Sequence, residues 1–185
     1  MSEDLVRQQL EGHLQTGSLA QLVKERQREH ETWFLLDTSG SMAGVTNPSS
    51  TTRKIDALRR LVRDLTQTVR CPMLQFDDTC EIVVDGLITE PRGSTRLTEA
   101  IQFAQGRHAT HLILISDGCP DNPASALAAA RAFRHPIDVF YVGRPGDGGD
   151  RFLAELAAAS GGKSQTIGLA DTKLLTSAIR GLLTA

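Results

Sequence analysis

The chain is poor in cysteine, in aromatic residues and in long hydrophobic runs. Its 185 residues include three cysteines, widely spaced and without a Cys-x-x-Cys pair, which argues against a disulfide framework and against a zinc knuckle. The longest strictly apolar run, 126–130, has five residues, whereas a bilayer span needs roughly 20. We therefore expect one globular domain with reduced thiols and without a transmembrane helix.

A strong excess of either charge is also lacking. Twenty Lys and Arg stand against 22 Asp and Glu, whereas a dedicated nucleic-acid binder is strongly basic. Segment 53–70 is locally basic, with six basic and two acidic residues, but it has no aromatic residue to stack on bases. We interpret it as a solvated helix face. Nucleic-acid binding through the predicted basic helix 54–69 is the weakest of three functional alternatives.

The first residues do not have the pattern of an export signal. Glu3 and Asp4 stand where a secretory leader carries basic residues, and no apolar core follows them. Residues 1–30 are polar and helix-prone, with Ser18 and Gln21 spaced as a capping box. We therefore expect a cytoplasmic protein with an N-terminal helical extension, 1–30, and one domain, 31–185.

Short apolar runs alternate with amphipathic stretches from residue 31 onward. The runs predict strands at 33–36, 73–76, 81–84, 112–115, 137–142 and 164–167. The amphipathic stretches predict helices at 54–69, 96–106, 124–134, 150–159 and 171–183. This alternation is typical of a largely parallel sheet covered by helices on both faces. The second and third strands are too close in sequence for a crossover, so they form a hairpin and one strand is antiparallel.

Polar side chains cluster in the loops at one expected edge of this sheet. Asp37, Ser39 and Ser41 follow the first strand, Asp117 follows the fourth, and Thr95 lies in a loop between them. Ligands of such sheets bind at the carboxyl ends of the strands, so these side chains are expected to converge. Their carboxylates and hydroxyls are hard oxygen donors, which suit Mg²⁺ or Mn²⁺ and disfavour zinc.

The spacing within the first loop supports a common orientation. In an extended segment the i, i+2, i+4 positions Asp37, Ser39 and Ser41 face one side, and Gly40 lets the backbone turn close to an ion. Only two donors of the set are anionic, so a bound ion stays electrophilic and favours an anionic sixth ligand. An Asp or Glu of a partner protein supplies such a ligand.

These residues resemble the metal-ion-dependent adhesion site of the von Willebrand factor A (VWA) domain family. The family's pattern is Asp-x-Ser-x-Ser, then a Thr after a Gly-containing loop, then the Asp of Thr/Ser-Asp-Gly. This chain supplies it in that order at Asp37, Ser39, Ser41, Thr95 and Asp117. The resemblance covers about residues 31–184. Ser94 replaces a frequent Gly and Ser116 a frequent Thr, and neither change removes a ligand.

The resemblance implies a fold, a function and a type of partner. The fold is a doubly wound, mostly parallel six-stranded sheet in the order 3-2-1-4-5-6 with strand 3 antiparallel, in agreement with the predicted hairpin. The function is a protein-interaction module that depends on Mg²⁺ or Mn²⁺. Partners of the family include MoxR-type ATPases and stress-response complexes. The motif Asp-Thr-Ser-Gly-Ser-Met is more similar to that of prokaryotic intracellular members than to that of secreted adhesins.

The remaining alternative is a metal-dependent hydrolase or phosphatase that uses the same carboxylates. Phosphatases of the haloacid-dehalogenase type have a second Asp where Ser39 stands, and aspartic proteases need two Asp-Thr-Gly loops, of which this chain has one imperfect copy. No glycine-rich phosphate loop ending in Lys-Ser or Lys-Thr is found. Without a convincing nucleophile, base or cofactor motif, we expect no enzymatic activity.

Overall fold

The computed structural model describes residues 31–144, 146, 148–167 and 172–184, so the predicted helical extension at 1–30 lies outside the described residues. The strands are β1 (Thr32–Asp37), β2 (Met73–Phe76), β3 (Cys80–Ile82), β4 (His111–Ser116), β5 (Ile137–Tyr141) and β6 (Ser164–Thr166). The α-helices are α1 (Lys54–Thr66), α2 (Leu97–Gly106), α3 (Pro123–Phe133), α4 (Gly149–Ser160) and α5 (Thr172–Thr184), and Gly40–Ala43 forms a 3-10 turn.

The six strands form one sheet in the order β3-β2-β1-β4-β5-β6. Every neighbouring pair is parallel except β2 and β3, which are antiparallel. The predicted doubly wound α/β fold, with its third strand antiparallel, is therefore confirmed. The strand order reverses between β1 and β4, so the carboxyl ends of these two strands flank the topological switch point. In open α/β sheets, ligands bind at this edge.

The sheet carries a hydrophobic layer on each face, because its central strands are apolar at nearly every position. Along β1, Leu35 faces the layer under α2, α3 and α4, whereas Phe34 and Leu36 face the layer under α1 and α5. Trp33 packs edge-on against Phe103 at the first of these faces, with ring centroids 6.2 Å apart. Two covered faces leave the strand ends and their loops as the accessible part of the sheet.

Element boundaries differ from the predicted ones by a few residues. α1 ends at Thr66 and not at 69. Past its end the Thr68 amide donates to the Leu65 carbonyl three residues earlier, the tighter spacing of a 3-10 turn, and the Val69 amide shares the same carbonyl. β3 covers Cys80–Ile82 and not 81–84. These differences leave the strand order unchanged. Within the described part of the chain, no helix has the length and apolarity of a membrane span.

Candidate metal centre

The carboxylate of Asp37 is fully buried at the carboxyl end of β1. Its Oδ1 accepts a hydrogen bond from the Ser39 amide at 2.8 Å, and its Oδ2 accepts one from the Ser116 hydroxyl at 2.6 Å. Ser116 is the last residue of β4, and the parallel register of β1 and β4 brings it beside Asp37. Both carboxylate oxygens are therefore held by neutral donors.

The carboxylate of Asp117 lies just beyond β4 and is buried as well, with 1% of its side chain exposed. Its Oδ1 accepts a hydrogen bond from the Ser41 hydroxyl at 2.6 Å, and Ser41 Oγ lies 3.1 Å from Ser39 Oγ. Its Oδ2 accepts from the Lys54 ammonium. The loop after β1 thus contacts Asp37 through a backbone amide and Asp117 through a hydroxyl.

Main-chain hydrogen bonds hold the loop that carries Thr95 against the loop after β1. The Gly40 amide donates to the Gly93 carbonyl at 3.2 Å, and the Arg92 amide donates to the Thr38 carbonyl at 3.1 Å. Thr95 follows two residues after Gly93. The third loop of the predicted site is therefore positioned by backbone atoms.

Thr95 is also joined to the loop after β4. Its amide donates to Asp121 Oδ1 at 3.0 Å, and the Asp121 amide donates back to the Thr95 carbonyl at 3.2 Å. Thr95 and Asp121 line a cleft of about 390 Å³ between the first turns of α2 and α3. Thr95 consequently lies between the two loops that carry the carboxylates, and beside an open cleft.

The hydrogen-bond donors that contact Asp37 are neutral, so they do not compensate the negative charge of its carboxylate. Burial, and then the negative charge of Asp117, raise the pKa of Asp37 from 3.8 to about 6, although hydrogen bonds from Ser116 and Ser39 act in the opposite direction. A cation between the two carboxylates would offset both causes. Carboxylate and hydroxyl oxygens are also ligands that Mg²⁺ and Mn²⁺ accept. The donor chemistry and the charge of these residues therefore fit a divalent ion.

The structure brings the predicted residues together in two ways. Four of them form one hydrogen-bonded series. The fifth, Thr95, is positioned beside them by hydrogen bonds of its backbone to Asp121. The series comprises Asp37, Ser39, Ser41 and Asp117. Sequence reasoning missed Lys54, which it assigned to a solvated helix face, and Asp121. It noted Ser116 only as a departure from the family pattern, although a hydroxyl at the end of the neighbouring strand was a usable signal.

Other charged groups are engaged away from this centre. Arg53 and Arg59 form ion pairs with Asp56 and Glu90 at 2.9 to 3.2 Å, which pairs two of the six basic residues of the segment 53–70 with acidic side chains. His111 Nε2 lies 2.8 Å from Asp138 Oδ2 at the amino end of β4. Among the residues described, no group of three or more His, Cys, Asp or Glu is arranged to hold a metal.

The architecture is that of VWA domains. No protein-family model and no curated protein sequence matches the chain. Among solved structures, a von Willebrand factor type A protein from Catenulispora acidiphila aligns with a TM-score of 0.63 at 18% identity, over 84% of this chain and 42% of that one. At this identity the likeness establishes the fold alone.

Two further structures show the same architecture. An aerotolerance-related membrane protein from Bacteroides fragilis aligns with a TM-score of 0.62 at 16% identity, over 83% of this chain and 98% of that one. Manganese-loaded Plasmodium vivax TRAP protein aligns with a TM-score of 0.57 at 18% identity, over 80% of this chain and 72% of that one. Each of these three alignments covers at least 80% of this chain.

Proposed function

We propose that this protein is a metal-dependent protein-interaction module. Mg²⁺ or Mn²⁺ would be held at the carboxyl ends of β1 and β4 by Asp37, Ser39, Ser41, Thr95 and Asp117. The observation that carries the proposal is the pair of buried carboxylates joined by serine hydroxyls at the switch point of the sheet. A similar structure, the Plasmodium vivax TRAP protein, is manganese-loaded, which supports a divalent cation on this fold.

The groups around the two carboxylates favour binding over hydrolysis. Those that contact them in the described residues are serine hydroxyls, a backbone amide and the Lys54 ammonium. A hydrolase needs a positioned base, and His111 is bonded to Asp138 at the opposite end of β4. When bound, the ion supplies an electrophilic centre that attracts an anionic oxygen. We infer that an Asp or Glu of a partner protein provides this oxygen.

Either ion is expected to raise the melting temperature of the protein. A ligand that binds only the folded form stabilises it by about 2.7 kcal/mol at a concentration of 100 times its Kd. Thermal scans and isothermal titration of EDTA-stripped protein measure the effect. Thr95→Val removes one hydroxyl at nearly constant volume and should weaken the response. Absence of a response to both ions at millimolar concentration would contradict the proposal.

Partner binding is expected to require the metal. A MoxR-type ATPase or a subunit of a stress-response complex is the partner class to test, by capture on the immobilised protein with Mg²⁺ and with EDTA. Replacing the coordinating acid of the partner by Asn or Gln should match the effect of EDTA. Moderate salt should weaken this contact less than it would weaken a diffuse contact with a basic patch, because a coordinating pair is short-range. Binding that survives both EDTA and Asp117→Ala would contradict the proposal and indicate that the partner binds α1 or residues 1–30 instead.

A further inference from the structure

Lys54 places a positive charge inside the candidate metal centre. It is the first residue of α1, and its amide donates to the Gly44 carbonyl at 2.8 Å, which fixes where its side chain begins. The side chain then passes Gly44, where a Cβ would lie 3.9 Å from both Cε and Nζ of Lys54. The ammonium ends at Asp117 Oδ2. Local backbone structure therefore directs this lysine toward the site.

The Lys54–Asp117 ion pair is the most enclosed one among the described residues, with 14% and 1% of the two side chains exposed. By contrast, Arg92, which pairs with Asp77, has 58% of its side chain exposed. Removing one partner of an enclosed pair leaves a buried charge without compensation. The ammonium thus stabilises a carboxylate that would otherwise be buried as an unpaired charge.

Both oxygens of Asp117 accept hydrogen bonds from side chains in the structure. The Ser41 hydroxyl donates to Oδ1, and the Lys54 ammonium donates to Oδ2. A divalent ion held by Asp117 needs one of these oxygens, and its charge repels an ammonium at the other. The flexible four-carbon stem of lysine allows the ammonium to move toward solvent. Metal binding and the Lys54 contact therefore oppose each other.

We propose that Lys54 is an internal counter-ion that competes with the divalent cation for Asp117 and so lowers the affinity of the site for metal. This inference rests on the proposed function. In the structure, the Lys54 ammonium offsets the charge of Asp117, whereas the donors that contact Asp37 are neutral. Metal binding at Asp117 would displace the ammonium from Oδ2.

Lys54→Met tests the competition, because it keeps the length of the side chain and removes its charge. Isothermal titration of EDTA-stripped protein with MgCl₂ should show affinity about tenfold or more above that of the wild type, since breaking an enclosed ion pair no longer accompanies binding. Lys163→Met removes an exposed lysine charge and is the matched control, with affinity unchanged. Should Lys54→Met fail to fold, Lys54→Gln, which retains a hydrogen-bond donor, should give the same increase.

Stability without metal gives a second, independent readout. In EDTA, Lys54→Met should melt below the wild type, and saturating Mg²⁺ should close the gap. In an Asp117→Asn background the same substitution should leave the melting temperature in EDTA nearly unchanged. Equal or weaker Mg²⁺ affinity in Lys54→Met would overturn the competition while leaving the metal centre in place. Absence of metal binding in both the wild type and Lys54→Met would overturn the centre and the competition together.

Discussion

Asp37→Ala is expected to reduce Mg²⁺ affinity about a hundredfold while the domain stays folded, because a charge-assisted contact contributes up to about 3 kcal/mol and each 1.4 kcal/mol is tenfold. The substitution removes one of the two carboxylates of the site. Without metal, it also removes a buried group whose ionisation is unfavourable, as its pKa of about 6 indicates. The fold, which rests on the two hydrophobic layers, should lose little.

Two controls separate the roles of Asp37. Asp37→Asn keeps the shape and an acceptor for the Ser39 amide, so it tests the charge alone and should also lose the metal. Leu114→Ala should lower the stability of the fold without removing a metal ligand. This residue of β4 is fully buried in the core, and its truncation costs about 2 to 5 kcal/mol. Titration with Mg²⁺ and denaturation in EDTA measure both effects. Unfolding of Asp37→Ala in EDTA would make Asp37 a structural residue.

Gly162→Ala is expected to destabilise the protein by about 3 kcal/mol or more, at the upper end of overpacking effects. Gly162 lies between α4 and β6, where the chain passes the first residue of β5. A Cβ at this position would lie 2.1 Å from the carbonyl oxygen of Ile137 and 2.5 Å from its carbonyl carbon. Since β5 is paired on both sides, its backbone cannot move away without breaking sheet hydrogen bonds.

Gly106→Ala is the matched control for this substitution. Gly106 is the last residue of α2, and a Cβ there would meet nothing within 4 Å. Alanine is favoured over glycine in a helix by up to about 1 kcal/mol, so Gly106→Ala should be neutral or stabilising. Urea denaturation of both variants in EDTA compares the free energies of unfolding. Equal stabilities would contradict the close approach of the chain to Ile137.

The fold could be predicted because its signals are local. The apolar runs at 33–36 and 112–115 are buried on both sides, and they became the central strands β1 and β4. The short connection after 73–76 required an antiparallel pair, which β2 and β3 form. The ends of elements were less predictable. The last turn of α1 depends on hydrogen bonds to the Leu65 carbonyl, which apolar spacing does not encode.

The proximity of Asp37 and Asp117 could be predicted because both lie at the carboxyl ends of strands. Asp37 is the last residue of β1 and Asp117 directly follows β4, so chain order and sheet topology place them at the same edge. Lys54 follows no strand, and its contact with Asp117 joins residues 63 positions apart. Its long side chain is consistent with a solvated helix face as well as with a buried ion pair. Only the path of the backbone at Gly44 distinguishes the two.

The two main-chain hydrogen bonds between the loops of the site, from Gly40 to Gly93 and from Arg92 to Thr38, have a consequence for protein engineering. They form between backbone atoms, so they do not depend on which side chains stand at 39, 41 and 95. Donor groups can therefore be exchanged singly on an unchanged frame. Since charge count and ligand number tune the choice between Mg²⁺ and Ca²⁺, the proposed metal site at this edge of the sheet is a starting point for designing cation selectivity.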